Sequence, residues 1–178
     1  TFVALRASLD SWRWAGVPFL VRTGKRMARR ETAVVVSFRP VPLHLFRGTP
    51  AEIDHNRLII RIQPDEGMDL TLTAKLPGPE IVTRGVHMDF SYAQSFMTAP
   101  PEAYERLLHD ALIADHTLFI SEEEIVLGWS AVAPVLSDRP PITFYPAGSW
   151  GPAAAAKVAD GPCDWHEMES DLPAAYHP

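Results

Sequence analysis

Five basic side chains lie within nine residues near the start of the chain: Arg22, Lys25, Arg26, Arg29 and Arg30. Arginine forks and the lysine ammonium are the side chains that hold phosphate best. The rest of the chain is acidic, since the whole sequence has a formal net charge of −6 although it includes these five cations. The cluster therefore predicts a binding site for a phosphate-bearing ligand.

The charge is divided unevenly along the chain. Residues 1–100 hold 13 Lys and Arg against 9 Asp and Glu, whereas residues 101–178 hold 3 against 13. A nucleic-acid-binding domain usually shows a broad basic face and a strongly basic total charge. Because the basic patch here is local, we expect a small anionic ligand and no nucleic-acid partner.

Length and residue usage narrow the class further. A chain of 178 residues is long enough to bury one sizeable core. No apolar run approaches the roughly 20 residues that span a bilayer, so no membrane segment is expected. The single cysteine, Cys163, excludes an internal disulfide and suits the reducing cytoplasm. The seven histidines lack metal-ligand spacing, so we expect no metal.

Period-two alternation predicts strands throughout the first half of the chain. The predicted strands are residues 2–9, 17–22, 32–38, 57–63, 67–76 and 82–90. The pattern is clearest in 67–76, where Met68 and Leu70 alternate with Asp69 and Thr71. Such alternation is typical of mostly antiparallel sheets with the polar face in water.

Helical spacing appears in the second half. It predicts helices over 101–115 and 122–136, the second opened by a capping box of Ser121 and Glu124. A short alanine-rich helix is expected after Pro152. Strands followed by helices indicate an α+β fold. We expect one domain over residues 1–159 and a loosely ordered, acidic tail over residues 160–178.

Five sequence blocks carry a more specific signal. They are residues 10–25, with Trp-Arg-Trp-Ala-Gly-Val-Pro-Phe and Arg-Thr-Gly-Lys; residues 56–66, Asn-Arg-Leu-Ile-Ile-Arg-Ile-Gln-Pro-Asp-Glu; residues 88–92, Met-Asp-Phe-Ser-Tyr; residues 101–108, Pro-Glu-Ala-Tyr-Glu-Arg-Leu-Leu; and residues 146–152, Pro-Ala-Gly-Ser-Trp-Gly-Pro. In this order, over residues 1 to about 159, they resemble the C-terminal domain of the glucose-6-phosphate dehydrogenase family.

The resemblance implies an oxidoreductase of the oxidative pentose phosphate pathway. Such an enzyme transfers a hydride from C1 of glucose 6-phosphate to NADP and produces the lactone of 6-phosphogluconate. The implied fold is a large, mostly antiparallel sheet with helices packed on one face. The other face of the sheet is implied to form a homodimer, and NADP is implied to bind mainly to a separate N-terminal domain.

The resemblance also implies roles for three residues of this chain. Lys25 matches the substrate-binding lysine of the Gly-Lys turn, Arg30 matches the second basic residue of that loop, and Gln63 matches the glutamine that faces the sugar. Arg22 and Arg61 match positions that bind a second, structural NADP in some eukaryotic members. Neighbouring basic residues that this second site needs are missing from the sequence, so we do not expect it here.

No catalytic residue is assigned in this chain. The family's catalytic histidine lies in an Asp-His-Tyr-Leu-Gly-Lys motif, and neither that motif nor a glycine-rich coenzyme loop occurs in the 178 residues. We therefore expect a fragment or a truncated gene product that is inactive alone. The alternative is a non-catalytic protein derived from that domain, which binds a sugar phosphate or assists assembly.

Overall fold

The computed structural model describes residues 1–39, 56–97, 103–139, 141–159 and 165. These residues form two compact units, one of Thr1–Phe96 with Phe144–Pro178 and the other of Met97–Thr143. Of the tail expected over residues 160–178, Trp165 is the one described residue, and its indole N–H donates to the Ala155 carbonyl at 2.8 Å.

Six strands build two antiparallel sheets in the first unit. β1 (Phe2–Ser8) pairs with β2 (Pro18–Gly24), so that Phe2 lies opposite Gly24. The second sheet has the order β3 (Thr32–Ser37), β4 (Arg57–Gln63), β5 (Gly67–Lys75) and β6 (Thr83–Ser91). The sequence-predicted strands are confirmed to within two residues at each end.

The four-stranded sheet has two unlike faces. The apolar face carries side chains that remain open to solvent, among them Val34, Ile62, Met68 and Met88. On the opposite face, here called the polar face, Asp69 lies in register between Ile59 and Asp89. Residues in direct register share a face.

The prediction that the polar alternating residues face water is wrong for Asp69. Asp69 is 2% exposed, as is Ile59 beside it, whereas Met68 is 40% exposed. Hydrogen bonding explains how the carboxylate can be buried, because the Thr71 hydroxyl donates to Asp69 at 3.4 Å. Alternation shows that two faces differ but does not show which of them is covered.

Helices follow the strands, as predicted. α1 (Tyr92–Phe96) continues directly from β6 in the first unit, and a 3-10 helix (Ala153–Ala159) follows Pro152. The second unit contains α2 (Ala103–Leu112) and α3 (Glu122–Ser137). The α+β class with antiparallel sheets is therefore confirmed. None of the described helices is both long and apolar enough to cross a lipid bilayer.

The predicted capping box opens α3. The Ser121 hydroxyl accepts from the Glu124 N–H at 3.2 Å, and the Glu124 carboxylate accepts from the Ser121 N–H at 2.7 Å. The backbone hydrogen bond from Ser121 is the main cause that lowers the pKa of Glu124 below its ordinary value of 4.5. A lowered pKa adds stability above pH 4.5, and this is lost as the pH falls through the lowered value.

Ser121→Ala is expected to lower the free energy of unfolding by about 1 kcal/mol at pH 7, because an N-terminal cap is removed. At a pH below the lowered pKa of Glu124 the cost is expected to be smaller, since the protonated Glu124 holds the box less firmly. Urea unfolding of both proteins at the two pH values measures the difference. An equal cost at both would show that the box does not depend on the Glu124 charge.

Candidate functional site

The candidate site lies on the connection between the two sheets. This connection, here called the cationic turn, comprises residues 24–31 and joins β2 to β3. Lys25 and Arg26 are exposed on it, and Arg26 has a left-handed backbone with φ of 54°. Such a φ is uncommon for a residue other than glycine. The turn therefore presents cations on a backbone that needs support from its neighbours.

A cavity of about 260 Å³ opens beside the end of this turn. Its lining consists of Arg29, Arg30, Glu31, Thr32, Arg61, Gln63, Pro64 and Asp65. Sheet register explains why two distant sequence segments meet here, because Thr32 at the start of β3 pairs with Gln63 at the end of β4. The Gln63–Pro64 peptide bond is cis.

Two of the three arginines in the cavity wall are held by carboxylates. Arg29 lies 3.8 Å from the Glu31 carboxylate. Arg61 donates to Asp89 at 2.9 Å and to the Phe90 carbonyl at 3.2 Å. The side chains of Arg61 and Asp89 are only 15% and 16% exposed, so a largely buried carboxylate that is not itself in the lining holds Arg61 in the cavity wall.

Arg30 differs from these two arginines. Arg30 is exposed, and it has no ion-pair partner among the described residues. A guanidinium in a cavity wall that is not engaged in an ion pair can offer two parallel N–H donors to an oxyanion. The cavity is thus suited to a ligand with one anionic group at the Arg30 side and hydroxyls near the Gln63 amide.

Gly67 makes room for the Arg61 guanidinium. A Cβ atom added at Gly67 would lie 2.5 Å from Arg61 Nη2 and would also collide with the Phe90 carbonyl oxygen. The Arg61 guanidinium and the Phe90 carbonyl already contact one another, because Arg61 donates a hydrogen bond to that carbonyl. Glycine at the start of β5 is therefore what allows Arg61 to lie across the sheet toward Asp89.

Of the three predicted site residues, the structure brings two together. Arg30 and Gln63 line one cavity, although 32 positions separate them in the sequence. Lys25 lies at the beginning of the cationic turn, outside the cavity lining. Sequence reasoning did not predict Arg61 as part of the cavity wall. The signal was present, because alternation along β4 places Arg61 and Gln63 on the same side of the strand.

A second polar cluster lies on the polar face, away from the cavity lining. His87 Nδ1 is 3.2 Å from the Thr71 hydroxyl and 3.7 Å from the Asp69 carboxylate. In a catalytic triad the acid and the nucleophile contact different nitrogens of the imidazole ring. Here both groups approach the same nitrogen, so the cluster does not have the geometry of a proton relay.

The fold and the site together define a class of protein. It is a mixed α+β domain built on antiparallel sheets, with arginines in the wall of a cavity beside the turn that connects the two sheets. The family described as "Glucose-6-phosphate dehydrogenase, C-terminal domain" matches residues 1–166. The chain belongs to this family.

Relatives and solved structures agree with the family match. The chain is 46% identical over 165 residues to glucose-6-phosphate 1-dehydrogenase of Mycolicibacterium smegmatis, covering 90% of this chain and 33% of the relative. It is 41% identical over 179 residues to the Treponema pallidum enzyme of the same name, covering 97% and 35%. The chain thus spans about a third of the length of these relatives.

Among solved structures, the crystal structure of glucose-6-phosphate 1-dehydrogenase from Mycobacterium avium superposes with a TM-score of 0.81 and 37% identity, covering 94% of this chain and 35% of that one. A glucose-6-phosphate dehydrogenase in complex with its substrate glucose-6-phosphate superposes with a TM-score of 0.79 and 32% identity, covering 89% and 33%.

Proposed function

We propose that this chain is the C-terminal, substrate-side part of an NADP-dependent glucose-6-phosphate dehydrogenase. The reaction converts glucose 6-phosphate to the lactone, with transfer of the C1 hydride to NADP. The observation that carries the proposal is the meeting of Arg30 and Gln63 in one cavity. Gln63 lies in the block of residues 56–66, and Arg30 lies five positions after the block of residues 10–25. Both match positions that bind the substrate in the family that the chain resembles.

Each residue has a distinct role in this proposal. Arg30 binds the phosphate by charge-assisted hydrogen bonds, because its guanidinium has no carboxylate partner among the described residues. Gln63, which lines the same cavity, hydrogen-bonds sugar hydroxyls. Lys25 reaches the phosphate from the exposed beginning of the cationic turn. These contacts orient the substrate and supply binding energy.

The proton and hydride transfers are assigned to other parts of the enzyme. Oxidation at C1 needs a base that takes the hydroxyl proton and a coenzyme held beside the C1–H bond. We assign neither group to a residue of this chain. The same chain without the remaining two-thirds of the enzyme is therefore expected to form no NADPH.

A chimera tests the proposal directly. The third of the Mycolicibacterium smegmatis enzyme that aligns with this chain is replaced by residues 1–166, and NADPH formation is followed at 340 nm. We expect turnover of glucose 6-phosphate by the chimera and none by the 178-residue chain alone. A folded chimera without turnover would contradict the proposal and favour the non-catalytic sugar-phosphate-binding protein.

We also propose a homodimer formed through the polar face of the four-stranded sheet. An extended apolar face needs a permanent cover, and the relatives have about two-thirds of their length outside the matched region that can provide it. On the polar face Asp69 is already buried within this chain, whereas Thr71 is half-buried and His87 is exposed, so this part of the face is left for a second copy. Sedimentation equilibrium of the chimera and of its Thr71→Arg variant tests this contact, because two such arginines would repel across a two-fold axis.

A further inference from the structure

We propose that Tyr145 is a positioning residue that holds the cationic turn in its binding conformation. That the turn binds substrate rests on the proposed function, but the conformational role itself does not. Tyr145 follows α3 by several residues and lies in the first unit, together with the turn. Tyr145 directly precedes the block of residues 146–152, to which the resemblance assigns no binding role.

The Tyr145 hydroxyl contacts the turn at the backbone of Lys25. It donates to the Lys25 carbonyl at 2.6 Å and lies 3.1 Å from the carbonyl of Thr1. The Lys25 N–H donates to that same Thr1 carbonyl at 2.8 Å. Both backbone groups of Lys25 are therefore fixed by partners outside the turn.

The segment after Tyr145 continues along the turn. The Gly148 N–H donates to the Arg26 carbonyl at 2.8 Å, and the Ala28 N–H donates to the Ser149 carbonyl at 3.1 Å. Met27 forms an isolated parallel bridge with Ser149. Residues 145–149 thus supply the hydrogen bonds that the turn cannot make internally.

The ring of Tyr145 is held in place by its own packing. It meets Phe2 edge to face, with 5.4 Å between ring centroids. Two glycines make room for the Phe2 ring, since a Cβ added at Gly24 would lie 2.9 Å from its Cδ2 and one added at Gly151 would collide with its Cε2. This packing therefore holds the Tyr145 hydroxyl within hydrogen-bonding distance of the Lys25 carbonyl.

A cation–π sandwich fixes the far end of this segment against β2. The Arg22 guanidinium lies 4.7 Å from the ring centroid of Trp150 and 5.2 Å from that of Trp165. Arg22 lies on β2, three positions before Lys25 of the turn. The turn is consequently bound on both sides, by the stacked Arg22 and by Tyr145.

The cationic turn needs these contacts for two reasons, its backbone conformation and its charge. Arg26 keeps a left-handed φ of 54°, which is unfavourable without compensating contacts. Lys25, Arg26 and Arg30 also repel one another on an exposed turn. Without the bond from Tyr145, the turn would sample other backbone conformations, and Lys25 would meet a phosphate only part of the time. The apparent affinity falls by the fraction of molecules in the competent state.

The test is Tyr145→Phe, which removes the hydroxyl and keeps the ring against Phe2. Tyr104→Phe is the matched control, because Tyr104 is 77% exposed and lies in the other compact unit. Amide hydrogen exchange on the 178-residue chain reports the turn through the N–H groups of Lys25, Ala28 and Gly148. We expect roughly two- to tenfold faster exchange there, the range of one lost hydrogen bond, and no change in Tyr104→Phe.

Kinetics in the chimera give the second measurement. A positioning role is expected to raise the KM for glucose 6-phosphate roughly two- to tenfold and to leave kcat within twofold. A purely structural loss would instead lower kcat through the folded fraction. Unchanged exchange at the three amides would overturn the inference. Faster exchange with an unchanged KM would support the positioning of the turn and contradict the substrate role proposed for Lys25.

Discussion

Replacing Arg30 by alanine is expected to raise the KM for glucose 6-phosphate roughly tenfold to hundredfold in the chimera, with a much smaller change in kcat. Arg30 lines the cavity and has no ion-pair partner among the described residues. A hydrogen bond to a charged group is worth about 1.5–3 kcal/mol, and about 1.4 kcal/mol is a factor of ten in affinity. Initial rates at varied substrate concentration measure the change.

Arg26→Ala is the matched control for this experiment. Arg26 carries the same charge on the same turn but does not line the cavity. Since exposed charges in water act weakly on a ligand at a distance, we expect a KM change below threefold. Equal effects of the two substitutions would show that the turn acts as a diffuse positive field and that Arg30 makes no direct contact.

Gly151→Ala is expected to destabilise the protein by roughly 2–6 kcal/mol, the sum of a backbone and a packing cost. Gly151 has a φ of 109°, where any other residue is strained, and an added Cβ would overlap the Phe2 ring. Backbone strain and overpacking each cost about 1–3 kcal/mol. The ring has little room to move, because Tyr145 and Gly24 hold its other sides. Urea unfolding of the 178-residue chain measures the free energy.

Gly148→Ala separates the two causes. Gly148 also has a positive φ, of 79°, but an added Cβ there would meet no atom within 4 Å. The cost of Gly148→Ala is therefore the backbone part alone, and the excess cost of Gly151→Ala measures the contact with Phe2. If the two variants lose the same stability, the Phe2 ring yields and does not fix the Tyr145 ring.

Most of the fold could be predicted from local patterns. A strand's period of two is visible in residues 57–63 without any tertiary information, and β4 has these same bounds. The start of α3 was equally predictable, because the capping box of Ser121 and Glu124 is a short-range arrangement. The strand alternation and the capping box each involve only a few neighbouring residues, so both can be recognised from the sequence without the structure.

Features that depend on distant residues could not be predicted. The burial of Asp69 depends on what covers each face of the sheet, which alternation does not encode. The bond from Tyr145 to the Lys25 carbonyl joins residues 120 positions apart. The cavity itself depends on the register between β3 and β4, which places Arg30 near Gln63 but leaves Lys25 outside the lining.

The preference for glucose 6-phosphate over glucose tests the central claim most directly. The ratio of kcat/KM for the two substrates is measured in the chimera and in its Arg30→Ala and Gln63→Ala variants. We expect Arg30→Ala to lower this ratio at least tenfold, because only one substrate has the phosphate, and Gln63→Ala to leave it nearly unchanged. If Arg30→Ala lowers kcat/KM equally for glucose 6-phosphate and for glucose, the account is contradicted, since Arg30 would then not bind the phosphate.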